Sequence, residues 1–162
     1  MKWIFIAIVI IGMIFIPQID FDVLSAKPSN LQESYVTRVV DGDTIEVQVD
    51  GKEYKVRYIG VDTPETVDPR RPVGYFGKEA SVKNKELVEG KTVRLEKDVS
   101  DTDRYGRLLR YVYVGETMIN LELIRLGYAK AATYPPDVKY VSIFLDAERE
   151  ARNAGRGLWA EQ

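Results

Sequence analysis

Two short runs of the chain hold most of the residue types able to do chemistry. They are VVDGDTI, with Asp41 and Asp43, and VRYIGVDTPET, with Arg57, Asp62, Thr63 and Glu65. The chain contains no Cys and no His. That excludes thiolate nucleophiles, zinc–thiolate centres, disulfides and every mechanism that uses imidazole as a base. Carboxylates, guanidinium groups, hydroxyls and hard metal ions remain. Asp43 and Asp62 offer carboxylate oxygens. Thr63, whose backbone is biased towards an extended conformation by Pro64, adds a carbonyl of fixed direction. Such an all-oxygen donor set suits Ca²⁺ or Mg²⁺. Glu65, one residue past the proline, is close enough to share the site without necessarily ligating, which suits a base that positions or deprotonates a water. Each run also has a plainer reading: Asp-Gly is a common tight-turn filling, and carboxylates often sit at strand ends. An EF-hand is excluded, because DGDTIEVQVDGKE lacks the alternating oxygen ligands and the glycine at loop position six.

Arg57 and Arg107 supply the opposite charge. A guanidinium stays protonated when partly buried, and its planar fork matches phosphate oxygens as well as carboxylates. DRYGRLLR sets Arg107 beside Tyr105 and Gly106, a grouping of cation, ring and open backbone suited to approaching a phosphate. Residues 70–110 carry a net +4, although the whole chain carries −2 with a pI near 5.4. A polyanionic partner would therefore meet a local basic face rather than a global field.

The elements that must position these residues are mostly strands. At 162 residues, 45% hydrophobic and 30% charged, the chain has the balance of one globular domain. Two Asp-Gly pairs, Asp41-Gly42 and Asp50-Gly51, separate β-rich runs and predict three antiparallel strands over about 35–40, 44–49 and 53–61. Phe76 to Gly90 has helix-forming composition and a glycine suited to its end. KTVRLEKDV predicts a fourth strand, and RLLRYVYVGETMIN a hairpin turning at Gly115-Glu116. A short helix follows from Leu121, with Asn120 as its expected N-cap and Gly127 as its stop. DVKYVSIFLDAEREARNAG predicts a last amphipathic helix. Five strands with a helix after the third, and no strand–helix alternation, predict an α+β, mainly β domain: a small barrel of the oligonucleotide/oligosaccharide-binding (OB-fold) type.

Ahead of this domain, Lys2 is followed by fourteen apolar residues, Trp3 to Ile16, and Pro17. That pattern predicts an export signal in residues 1–26, or a retained membrane anchor. As a helix the apolar run reaches only about 21 Å, short of a hydrocarbon core of roughly 30 Å. A linker is expected over 27–34 and the folded domain over 35–160, with the domain outside the cytoplasm.

Taken together and in order, VVDGDTI, VRYIGVDTPET, YFGKEAS, DRYGRLL, LIRLGYAK and GLW resemble the staphylococcal nuclease (thermonuclease) family. The resemblance spans about Tyr35 to Trp159. It implies a five-stranded OB-fold-type barrel with three helices and a Ca²⁺-dependent hydrolase that cuts phosphodiester bonds of DNA and RNA, leaving 3′-phosphate ends. Carried over residue by residue, Asp43, Asp62 and the Thr63 carbonyl would hold Ca²⁺. Arg57, Glu65 and Arg107 would be catalytic, and Asp41 would support them. Arg104, Tyr105 and Tyr134 would contact substrate. The family often has two tyrosines in the loop AKAATYPPD. A gapless match places Thr133 and Pro135 there, with Tyr134 the aromatic between them. The resemblance carries no obligate protein partner, and a monomer is expected. A non-catalytic barrel that only binds nucleic acid or protein is the alternative; it predicts missing catalytic side chains, and none is missing. A Ca²⁺-stabilised surface module would not need the paired arginines.

Overall fold

The structure is a computed structural model and describes residues 31–66 and 74–160. The expected export segment lies outside the described residues, as do the first residues of the expected linker. The first three strands, β1 (Leu31–Val39), β2 (Thr44–Val49) and β3 (Lys52–Tyr58), form an antiparallel meander. The β2–β3 turn has positive φ at both Asp50 and Gly51, 49° and 78°. This is the primed-turn geometry that matches strand twist and favours Asp-Gly. β4 (Val61–Asp62), α1 (Gly77–Val88), β5 (Thr92–Glu96), β6 (Leu108–Val114), β7 (Thr117–Met118), α2 (Ile119–Arg125), β8 (Lys130–Ala131) and α3 (Val141–Asn153) follow. A 3₁₀ turn at Gly157–Trp159 comes last.

The main sheet runs β3-β2-β1-β5-β6, and β3 also pairs in parallel with β6, Val56 opposite Leu108. This pairing closes a five-stranded mixed barrel, so neither β3 nor β6 is left as a free edge. β7 only extends β6 as a hairpin. With its three helices the molecule has the OB-fold-type α+β architecture expected from the sequence. Alternate residues of the strands point inwards, and Val36, Ile45, Val47, Val56, Val93, Leu95 and Val112 are buried in the core. α3 adds Phe144, Ala147 and Ala151, one stripe at helical spacing.

Four boundaries differ from expectation. β1 pairs with β5 from Leu31 onwards, four residues ahead of Tyr35, because Leu31 to Tyr35 find partners from Glu96 to Thr92. The expected strand 53–61 breaks after Tyr58. Gly60 takes φ +75°, and a Cβ there would come within 2.4 Å of the Phe144 ring. Only glycine allows both the turn and the close approach of α3. The strand then resumes as β4, which pairs with β8 instead of the barrel. The fourth strand ends at Glu96 instead of running on to Val99. Asn120 is not an N-cap but lies fully buried within α2. Its amide donates to the Ile59 carbonyl at 2.9 Å and accepts from the Val112 N–H at 2.8 Å. A buried main-chain pair that the β3 break leaves unmatched is satisfied this way.

Candidate active site

The β2–β3 register puts Thr44 opposite Arg57, so Asp43, just ahead of β2, meets the end of β3. The Tyr58 N–H donates to the Asp43 carbonyl at 2.9 Å. Arg57, largely buried, becomes the hub of the cluster. Its Nη1 lies 2.9 Å from Asp43 Oδ1 and donates to the Val61 carbonyl at 2.8 Å, while Nη2 lies 3.6 Å from Asp62 Oδ1. The Gly60 turn brings β4 back across the barrel end and makes this convergence possible. Thr63 closes the cluster: its N–H and its hydroxyl donate to Asp43 Oδ2, at 2.9 and 2.8 Å. Any Cβ at position 42 would sit 2.8 Å from the Thr63 side chain, so Gly42 allows the close approach of Thr63.

Asp41 supports the loop from below. Its Oδ1 accepts the Asp43 N–H at 3.1 Å, and its carbonyl accepts from Asn84 of α1 at 3.0 Å. Asn84 in turn accepts the Tyr58 hydroxyl at 2.9 Å. Glu65 lies beyond Pro64; its Oε1 accepts the Thr66 N–H at 2.9 Å, and its charge acts on Asp62. The acidic groups carry more negative charge than Arg57 balances. Burial, and next the Asp43 carboxylate, push Asp41 up to about 6. Burial also raises Asp62, against the pull of Arg57 and with help from Asp43 and Glu65. Crowded, partly desolvated carboxylate oxygens fit a hard divalent cation. Among the described residues no group of three or more acidic, imidazole or thiol side chains could hold a metal by itself. Asp43 and Asp62, which converge on Arg57 beside Thr63, are the side chains here that could contribute oxygens to such an ion.

Beside this cluster opens a cleft of about 480 Å³. Arg57 and Arg107 both line it, with Arg104, Tyr105 and Tyr134. Arg107 is fixed by Asp103: Nε donates to Oδ2 at 2.7 Å, and the Arg107 and Tyr105 N–H groups share Oδ1 at 3.0 and 2.9 Å. Burial alone would raise Asp103, but these three donors hold it below its usual value. Because Nε carries the bond, the two terminal nitrogens of Arg107 have no hydrogen-bond partner among the described residues. Tyr105 and Tyr134 are both more than 60% exposed, so both rings can be reached from the cleft. The Arg104 guanidinium lies 4.8 Å from the Tyr105 ring centre, and that of Arg107 5.5 Å.

The structure thus gathers the expected residues into two adjoining groups. Asp41, Asp43, Arg57, Asp62 and Thr63 form the acidic cluster, Glu65 follows it along the chain, and Arg104, Tyr105, Arg107 and Tyr134 line the cleft. Tyr134 reaches the cleft although its neighbours depart from the family pattern. Asp103, Asn84, Asn120 and Gly60 position the site and were not anticipated. Only Asp103 left a sequence trace, an Asp opening the turn DRYG, whose carboxylate can accept main-chain N–H groups.

The family model described as "Staphylococcal nuclease homologue" matches residues 55–161. The chain is 41% identical over 155 residues to a thermonuclease of Staphylococcus hyicus, covering 95% of this chain and 92% of that protein. It is 47% identical over 128 residues to a thermonuclease of Staphylococcus intermedius, covering 78% and 76% respectively. It is 44% identical over 139 residues to the endonuclease YncB of Bacillus subtilis strain 168, covering 85% of this chain and 66% of that protein. With its closed five-stranded barrel and the nucleases it matches over most of its length, the chain belongs to the staphylococcal nuclease family and is a nuclease.

Proposed function

We propose that the protein is a Ca²⁺-dependent nuclease that hydrolyses phosphodiester bonds of DNA and RNA to leave 3′-phosphate ends, and that residues 1–26 direct it out of the cytoplasm. The observation that carries this reading is the position of Arg57. It touches Asp43 and Asp62 on one side and lines, on the other, the cleft that also holds Arg107. A phosphodiester in that cleft meets two guanidinium forks at once. Arg57 and Arg107 bind its non-bridging oxygens and stabilise the charge that develops as phosphorus becomes pentacoordinate. Glu65 orients a water against the phosphorus and takes its proton as the new P–O bond forms and the bond to the 5′-oxygen breaks. Ca²⁺, held by Asp43, Asp62 and the Thr63 carbonyl, would supply Lewis-acid polarisation of the phosphoryl oxygens. Tyr105 and Tyr134 offer ring faces on which bases of either sugar type can stack, consistent with both DNA and RNA as substrates.

The test is to incubate the purified protein with single- and double-stranded DNA and RNA in Ca²⁺, in Mg²⁺ or in excess chelator, and to analyse the ends. Cleavage in Ca²⁺, little in Mg²⁺, none in chelator, and 3′-phosphorylated products are expected. Mg²⁺ demands tighter octahedral geometry and holds its waters, which a site of few protein ligands satisfies poorly. Equal turnover in Mg²⁺ or in chelator refutes the Ca²⁺ assignment. For export, N-terminal sequencing of protein from the medium should start near Lys27; full-length protein found only in membranes supports the anchor instead.

A further inference from the structure

A second depression, of about 320 Å³, adjoins the acidic cluster and is lined by Asp62, Pro64, Tyr75, Lys130, Leu158 and Trp159. It is distinct from the Arg104–Tyr105 cleft. Arg57 lines that cleft and Asp62 lines this groove, so the Arg57–Asp62 pair is the saddle between them. We propose that this groove is a second nucleotide subsite, which takes the strand on the far side of the scissile phosphate from the Arg104–Tyr105 cleft. The proposal rests on the nuclease reading of the site.

Three observations carry it. Lys130 of β8 is the cross-strand partner of Asp62 in the β4–β8 pair, so its side chain starts about 5 Å from that of Asp62. Lys130 is exposed, and among the described residues no carboxylate lies within ion-pair distance of it, whereas most neighbouring cations are paired. Its ammonium sits 5.8 Å from the centre of the Trp159 ring. A cation that makes no ion pair within contact distance among the described residues, although its charge acts on Asp62 one strand spacing away, is placed to meet the next phosphate of a strand. Tyr75 is 56% exposed at the groove edge and presents a ring on which a base can stack. The groove is also continuous with the site: a strand gripped at Arg57 must leave past Asp62, and the groove is the concave surface there. Its volume lies at the small end of ligand pockets, suited to one nucleotide rather than to a duplex.

The test is binding of a fluorescein-labelled single-stranded oligothymidylate of roughly ten nucleotides, read by anisotropy in chelator across a range of salt concentrations. Wild type, Lys130→Ala, Lys130→Arg and Tyr75→Ala are compared, with Lys52→Ala as a control on the opposite end of β3. Each phosphate contact contributes about 0.7 to the slope of log affinity against log salt for a single strand. Lys130→Ala should lose about 0.7 of slope, and Lys130→Arg should retain it. Tyr75→Ala should bind on the order of tenfold more weakly, with the slope unchanged. In Ca²⁺ the ratio of kcat/KM for the oligonucleotide to that for a nitrophenyl phosphodiester of a single nucleotide should fall in both variants. A Lys130→Ala protein with wild-type slope and ratio overturns the groove while leaving the nuclease reading intact. A wild-type protein that neither binds nor cleaves the oligonucleotide overturns both.

Discussion

Arg57 and Arg107 do different structural work although both reach the same cleft. Arg57 is locked on two sides by carboxylates and a carbonyl, whereas Arg107 is held through Nε alone by Asp103. Lysine keeps the charge at either position but loses the fork, so Arg57→Lys and Arg107→Lys should each lower kcat far more than they lower Tm. If both grip one phosphoryl group, the double variant loses less in ΔΔG‡ than the sum of the singles. Kinetics and thermal unfolding of all three variants check this, and a native rate in a folded single variant removes that arginine. Glu65→Gln keeps the shape without the proton acceptor, and kcat should fall on the order of 10²–10⁴-fold at near-native Tm. The chemistry-bearing residues were legible because their types are few in a chain without His or Cys and their spacing is tight. Asp103 was legible only as the Asp that opens a turn; that it also fixes the Arg107 side chain shows only in the folded chain, where it holds three donors.

The break between β3 and β4 is the element on which the site depends. Without it the strand would run on, and Asp62 and Thr63 would never return to Asp43. Gly60→Ala meets both the positive φ and the Phe144 ring, so it should cost about 2–4 kcal/mol and loosen the active-site loop along with α3. Urea unfolding measures the first effect, and amide exchange at Asp62 and Thr63 the second. A change below about 0.5 kcal/mol, within ordinary surface variation, would mean that α3 moves aside freely. Periodicity in the sequence found the strands and helices, because alternation and helical spacing are local properties. It missed the break, because the need for glycine at position 60 arises from a ring more than eighty residues further along the chain. Asn120 was misread for the same reason: its local pattern is that of a cap, but its partners lie on β6 and at the β3 break.

At the scale of the whole molecule, α3 is fastened to the barrel by a polar knot around Glu96. Burial would raise this carboxyl, but the Lys139 ammonium and the hydroxyls of Tyr113 and Tyr140 hold it below its usual value of about 4.5. A carboxyl that is more acidic folded than unfolded stabilises the fold above its unfolded value, and that contribution is lost as pH falls through the folded one. Wild type should therefore exceed Glu96→Gln in Tm at neutral pH, and the two curves should converge as the pH falls below the ordinary glutamate range. Parallel curves across that range would assign the knot no ionic role. None of this was visible in the sequence, where Glu96, Tyr113, Lys139 and Tyr140 are scattered over two strands and a loop.

The parallel seam of β3 with β6 also sets an order of events. It joins Val56 to Leu108, about fifty residues apart, whereas the β1–β2–β3 meander closes through turns of a few residues. The meander can therefore form early as the chain refolds, but Arg57 and Arg107 share no cleft until the seam zips. Catalytic competence should return with this late, long-range closure and not with the first rise in β-structure, so that stopped-flow circular dichroism leads the recovery of nuclease activity.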